Sequence, residues 1–315
     1  MFVQQSLSRL FHLFLAGACM LVLAACQATP EELGPLKEVA FLVSNYRQVS
    51  FDDLASSATT RAVPTDHPST LAHLLIAIFD ADTGQLVGVP LQHDQKDYTR
   101  QDQWDAYRQF SVMLPYGRYR VLVLGYNGQR ACHITSPSHI TWDDDYVPNT
   151  FLYEEVFTLD ENTNLTREIT LRHVVAAFRV TAEDMLPSTL RKMRFSCSAG
   201  GTVLDGTTGF APQSTGRTSE IVVPADSLGK NNIDFTTYLF LPEEQIMTDY
   251  SVQAIGDNGV VLNEKRFSNV PLRINYLTQW RGNAFESGDV DTPDAEGSFR
   301  IKWDTAWEGT ISIDN

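Results

Sequence analysis

Short apolar or alternating runs, each bounded by turn formers, recur along this chain while helical periodicity is scarce, and that pattern restricts it to an all-β fold. The runs 37–43, 74–79, 109–114, 119–125, 165–171 and 174–181 are rich in β-branched and aromatic residues. Further strand candidates follow at 235–241, 250–255, 260–263 and 299–303. Phe110 to Leu114 alternates, meets Pro115-Tyr116-Gly117, and alternation resumes from Arg118 to Val123, the pattern of a hairpin with one buried face. Gly256-Asp257-Asn258-Gly259 predicts a second tight turn, because Gly and Asn tolerate positive φ. Stretches 130–150 and 198–218 read as loops, and 92–107, with Trp104 and Tyr107 three apart, as a short surface helix. Many short strands at roughly even spacing predict sandwiches. A polar break at Asp160-Glu161-Asn162-Thr163-Asn164 divides the chain into domains over 37–163 and 164–315.

The first 36 residues belong to neither. Arg9 is the leader's single formal charge, residues 10–23 are apolar, and small residues precede Cys26. The apolar stretch falls short of the roughly 20 residues of a spanning helix. Leu23-Ala24-Ala25-Cys26 resembles the lipobox of Gram-negative lipoproteins. The resemblance implies a signal peptide over 1–25, cleavage between Ala25 and Cys26, and lipidation of Cys26, with 26–36 as a tether. Several acyl chains, at about 0.8 kcal/mol per buried methylene, hold a protein on a membrane that one chain would let it leave. Gln27 to Glu32 is similar to the acidic export tags of surface-displayed lipoproteins, or else a plain solvated tether.

A formal charge of −15 with no Lys/Arg stripe disfavours nucleic acid as a partner. The apolar content of 43% is that of a folded chain, so the acidity does not signal disorder. Beyond the leader and Cys26, two cysteines remain, Cys132 and Cys197, which an oxidising compartment could join or leave free.

The leader, the Leu-Pro-Tyr-Gly-Arg-Tyr segment from Leu114 to Tyr119, the run Ile169 to Val180, and Asn269 to Thr278 followed by Gly282-Asn283 together resemble the fimbrillin superfamily, in particular its FimB-type lipoproteins, anchor or accessory subunits of type V pili. This resemblance implies two tandem transthyretin-like (Ig-like Greek-key) β-sandwich domains, the run 171–180 opening the second. It also implies assembly by strand exchange, in which an edge strand lost from one subunit is replaced by a terminal strand of the next. An open sheet edge offers unpaired N–H and C=O groups for such a contact, and a head-to-tail contact that does not close makes fibres. Arg61-Ala62, in a stretch rich in small residues, looks like the arginine-specific cut that family stalk pilins undergo; an uncut linker arginine is the alternative. Phe299, Ile301 and Trp303 alternate as a donor strand's pocket-filling set would, or complete their own sheet. Ser227 and Thr305, each after an aspartate, match a loose O-glycosylation pattern of bacteria that carry such pili.

No Gly-x-Ser-x-Gly, His-Glu-x-x-His or phosphate loop occurs, so no catalytic residue, metal ligand or cofactor is assigned. His173 reads as a satisfied core or edge histidine. Asp143-Asp144-Asp145 reads as a solvated acidic turn, since the six to eight oxygens that calcium demands are not visible locally. Trp142, Tyr146 and Phe151 could form a sugar-stacking platform, with core packing the default. The function expected is therefore a non-catalytic, surface-exposed outer-membrane lipoprotein that anchors or accompanies a type V pilus. Its partners would be the other pilus subunits, the membrane through its lipid, and host or bacterial surface ligands. A surface glycan-binding lipoprotein, or a tip subunit released after Arg61, are the alternatives.

Overall fold

In the computed structural model, which describes residues 35–46, 71–163, 166–285, 288–291, 300–302 and 309–313, the first half of the chain builds one long sheet folded over on itself. Its strands are β1 (Lys37–Tyr46), β2 (His73–Asp80), β3 (Leu91–Asp94), β4 (Gln109–Leu114), β5 (Gly117–Asn127), a separate hairpin of β6 (Cys132–Ser136) and β7 (His139–Trp142), β8 (Asn149–Leu159) and β9 (Thr166–His173). The order across the sheet is β3-β2-β5-β8-β9-β1-β4. The β8–β9 step is the fold line, paired only through Phe151–His173 and Leu152–Arg172. One core fills the space between the halves, with Val39, Phe41, Val43, Phe110 and Ile169 from one side meeting Leu74, Ile76, Val121, Val123 and Phe157 from the other.

The second half contributes β10 (Ala176–Ala182), β11 (Leu190–Cys197), β12 (Arg217–Val222), β13 (Ile233–Leu239), β14 (Gln245–Gly256), β15 (Val261–Arg273), β16 (Tyr276–Gly282), β17 (Gly288–Asp291), β18 (Arg300–Lys302) and β19 (Gly309–Ile313). They form two sheets, β13-β10-β16-β19-β18 and β12-β11-β14-β15-β17. Phe178 anchors the core between them, edge-on to Phe195 and Phe267 and 4.4 Å from Tyr250.

A third core joins these lobes. β2 and β5 are buried along almost their whole length because both of their faces are covered. Leu74, Ile76, Val121 and Val123 point into the first core, while Leu75, Ala77, Phe79, Leu122, Leu124 and Tyr126 point outward against Val174, Val175, Ala177, Leu204, Phe240 and Leu277. Strands covered on both sides lose the polar half of the alternation, which is why 74–79 and 121–124 read as unbroken apolar runs. At about 1.5–3 kcal/mol for each fully buried large aliphatic or aromatic side chain, this seam is a major part of the molecule's stability.

The structure corrects four expectations. Strands β4 and β5 are no hairpin: β4 pairs with β1, β5 with β2 and β8, so Pro115-Tyr116 carries the chain from one half of the folded sheet to the other. Alternation specifies a buried face, and both strands bury theirs in the same core from opposite sides. The Tyr119 hydroxyl ties the crossing by donating to the Pro115 carbonyl at 2.9 Å, as a tyrosine corner does in Greek-key sandwiches. The polar break at 160–164 does not separate the lobes either, since β9 pairs with β1 and β8 and the crossing comes at Val174–Val175, both fully buried. Within 130–150 lies the β6–β7 hairpin rather than loop alone. The expected short helix exists as α1 (Trp104–Arg108), but its Tyr107 is wholly buried and donates to the Leu71 carbonyl at 2.7 Å. The turn at Gly256–Gly259 does join β14 to β15, with Asn258 at φ 56° and Gly259 at φ 77°.

Candidate functional site

The first strand is held by a neighbour on each side. β1 lies between β9 and β4, antiparallel to β4 from Lys37–Leu114 to Leu42–Gln109, and parallel to β9 from Ala40–Thr166 onward, with a bulge between Val43 and Asn45. Its alternation, Val39-Ala40-Phe41-Leu42-Val43, sends Val39, Phe41 and Val43 into the core with no exposed surface. Phe41 meets the Phe157 ring edge-on at 6.0 Å, and the Arg167 guanidinium covers the Phe157 ring at 4.3 Å. Arg167 is itself held by Glu155 at 2.5 Å, whose other oxygen accepts from the Tyr153 hydroxyl at 2.7 Å. Burial and the neighbouring Glu155 carboxylate push the Tyr153 phenol up, so it stays a donor.

Polar contacts fix the strand's register at both ends. Lys37 Nζ donates to the carbonyls of Asp160 and Glu161 at 2.8 and 2.6 Å, and Ser44 Oγ donates to the Ile169 carbonyl at 3.1 Å. The energetic consequence of the topology is specific. β4 joins its sheet through β1 alone, so without β1 both β4 and β9 would present unpaired edges, with three empty side-chain pockets between them. An unpaired, alternating slot of that kind is what an added strand recognises: backbone bonding supplies affinity and the pockets supply specificity.

The sequence-predicted site residues are scattered. Ala25, Cys26, Arg61, Ala62, Phe299, Trp303 and Thr305 lie outside the described residues. Ile301 lies in β18, opposite Ile311 of β19, at the outer edge of the second lobe's sheet. Ser227 ends a 3-10 turn, Ala225–Ser227, half-buried, its amide bonded to the Pro224 carbonyl at 3.0 Å. Cys132 and Cys197 are both free and half-buried. Burial pushes the Cys132 thiol up to about 12 and raises that of Cys197.

The aromatic platform does not form. Trp142 is 2% exposed and stacks on Phe240 at 5.6 Å, and Phe151 lies parallel to His173 at 4.3 Å. Asp143 binds His133 at 2.7 Å and Asp144 binds Arg130 at 3.0 Å, so two of the three aspartates of the acidic turn engage neighbouring basic side chains. Sequence reasoning missed Lys37, Ser44 and the β1 slot as a whole. The one signal available was that 37–43 alternates cleanly while lying ahead of the Arg61 stretch.

A family model described as a family of unknown function (DUF6562) matches residues 48–314. A comparison with curated proteins finds no match. Among solved structures, a candidate adhesin from Bacteroides ovatus shares 13% identity over 83% of this chain and 94% of its own, with a TM-score of 0.45. The fimbrial anchor protein Mfa2 from Porphyromonas gingivalis shares 16% over 72% and 82%, with a TM-score of 0.37. The tip fimbrial protein Mfa3 from the same organism, truncated at its C-terminus, shares 13% over 73% and 82%, with a TM-score of 0.31.

Proposed function

We propose that this chain, which belongs to the family of unknown function DUF6562, is a non-catalytic outer-membrane lipoprotein, acylated at Cys26, that serves as an anchor or accessory subunit of a type V pilus. The observation that carries the reading is the position of β1 ahead of Arg61 and inside the sheet. A chain left whole keeps Lys37–Tyr46 in its slot and its lipid on the same covalent thread, so it accepts no incoming strand there and ends the fibre at the membrane. A chain cut after Arg61 loses that thread, and with it both the lipid and the strand that closes the slot. The same geometry thus separates an anchor from a polymerising or tip subunit by one peptide bond.

In the anchor, the contact with the neighbour would fall to the C-terminal segment, where Arg300–Lys302, paired with β19 in its own sheet, is the outermost strand and Phe299, Ile301 and Trp303 would be the pocket-filling set. Mass spectrometry of the N-terminus, on protein from isolated outer membranes and from sheared fibres, tests the assignment. An acylated chain beginning at Cys26 in both fractions is expected. A chain beginning at Ala62 makes it a stalk or tip subunit instead, and protein that never accompanies fibres overturns the pilus reading.

A further inference from the structure

A cleft of about 560 Å³ opens between the turn that follows β7 and the outer edges of β12 and β13, the edge strands of the second lobe's two sheets. That size suits a small molecule. Arg217, the first residue of β12, stands in its wall. Its Nη1 donates to the Tyr238 carbonyl at 2.5 Å, and its Nε is buried with no hydrogen-bond partner. The other charged residues lining the cleft are already matched: Arg130 with Asp144 at 3.0 Å, and Glu220 with Lys192 and Arg194, each at 2.8 Å.

Among the described residues no carboxylate pairs with Arg217, although the chain has 39 acidic residues against 24 basic ones. Burial weakens the guanidinium's hold on its proton, and the field of the nearby Asp145 carboxylate, which is not in salt-bridge contact with it, offsets that loss only in part. A guanidinium donates charge-assisted N–H bonds to a carboxylate, stronger than those between neutral groups. Around it the wall is hydroxyl-bearing, with Thr218, Thr236 and Tyr146, groups that both donate and accept.

We infer that this cleft binds a carboxylate-bearing saccharide, with Arg217 gripping the carboxylate and the neighbouring hydroxyls meeting those of the sugar ring. The site would give the subunit a ligand of its own, and it stands whether or not the chain builds a fibre.

The test is isothermal titration calorimetry on the full chain in detergent, with digalacturonate, glucuronate and N-acetylneuraminate as probes, and with digalactose and inorganic phosphate as the neutral and non-sugar controls. At least one acid sugar is expected to bind saturably, about tenfold or more tighter than either control, and to weaken about tenfold in Arg217→Met. Should R217M lose the cooperative thermal transition of the unaltered protein, the exposed Thr218→Val takes its place and is expected to weaken binding about threefold. No saturable heat with any acid sugar overturns the inference. So do equal affinity for digalactose or phosphate, a folded R217M that binds as before, and, where R217M does not fold, a T218V that does so.

Discussion

His173 Nδ1 lies 2.8 Å from the side-chain oxygen of Asn275, and the two residues come from opposite lobes, one closing β9 and the other turning between β15 and β16. The second ring nitrogen meets the Asn149 carboxamide, and the Asn275 amide donates to the Val175 carbonyl at 2.9 Å, where the chain crosses. A neutral imidazole has one N–H, so one of the two carboxamides must turn its NH2 group to the ring. Burial drives the His173 pKa down to about 3, which keeps it in that neutral form.

Stability should therefore depend on pH below neutrality. The folded-state value of His173 lies under its unfolded value of about 6.5, so the contribution is full above about 6.5 and is lost as pH falls from there towards 3. The slope that this one group adds is at most about 1.4 kcal/mol per pH unit. Urea unfolding at a series of pH values between 7 and 4 should show it, and His173→Gln, which keeps a hydrogen-bonding side chain without the titration, should flatten the curve. An unchanged slope in the variant would contradict the assignment.

Phe41→Ala should cost about 3–5 kcal/mol, because the ring is wholly enclosed and Phe157 cannot follow it into the cavity without leaving Tyr119 and Arg167. Leu36→Ala, half-exposed just before β1, should stay within about 0.5 kcal/mol. Chemical denaturation of the two variants side by side gives the comparison.

A chain that begins at Ala62 should bind a synthetic peptide copying residues 37–46, and the same peptide with Phe41→Ser should bind at least about tenfold more weakly. Fluorescence anisotropy of labelled peptides measures both. Equal binding would mean that the pockets of β1 carry no specificity.

Tyr119→Phe removes the hydroxyl that closes the corner on Pro115 and leaves the ring in place beside Phe157. A loss of about 0.5–1.5 kcal/mol is expected, read as a lower thermal midpoint with the same cooperative transition.

Cys132 should resist iodoacetamide at pH 8 in the folded protein and react once urea is added, since burial pushes its thiol up to about 12 and the thiolate is the reactive species. Peptide mass mapping with and without urea distinguishes the states. Rapid modification of the folded chain would refute the burial argument.

What could be read from the sequence was local. The β14–β15 hairpin was legible because Asn258 and Gly259 supply the positive φ that its turn needs within a few residues. The β4–β5 segment has equally good turn residues and misleads, because alternation reports which face is buried and not which strand lies alongside. The parallel pairs β1–β9 and β10–β16 left no local mark, their partners lying roughly a hundred or more residues apart. The β1 slot depends on one such pair, which is why its residues escaped notice, and the cleft at Arg217 depends on charges whose partners are set by tertiary packing alone. The β6–β7 hairpin was hidden for a different reason: its exposed positions are His133 and Thr135 and it ends on Ser136, polar residues that read as loop.

The double-sided hold on β1 also decides how the molecule meets a pull. Tension entering at Lys37 along the strand axis loads the hydrogen bonds to β4 and to β9 in shear, all together, instead of peeling them one after another. Detachment by force then depends on the height of an unfolding barrier rather than on equilibrium stability. A pull applied ahead of this strand has to break both rows of hydrogen bonds before the first core opens.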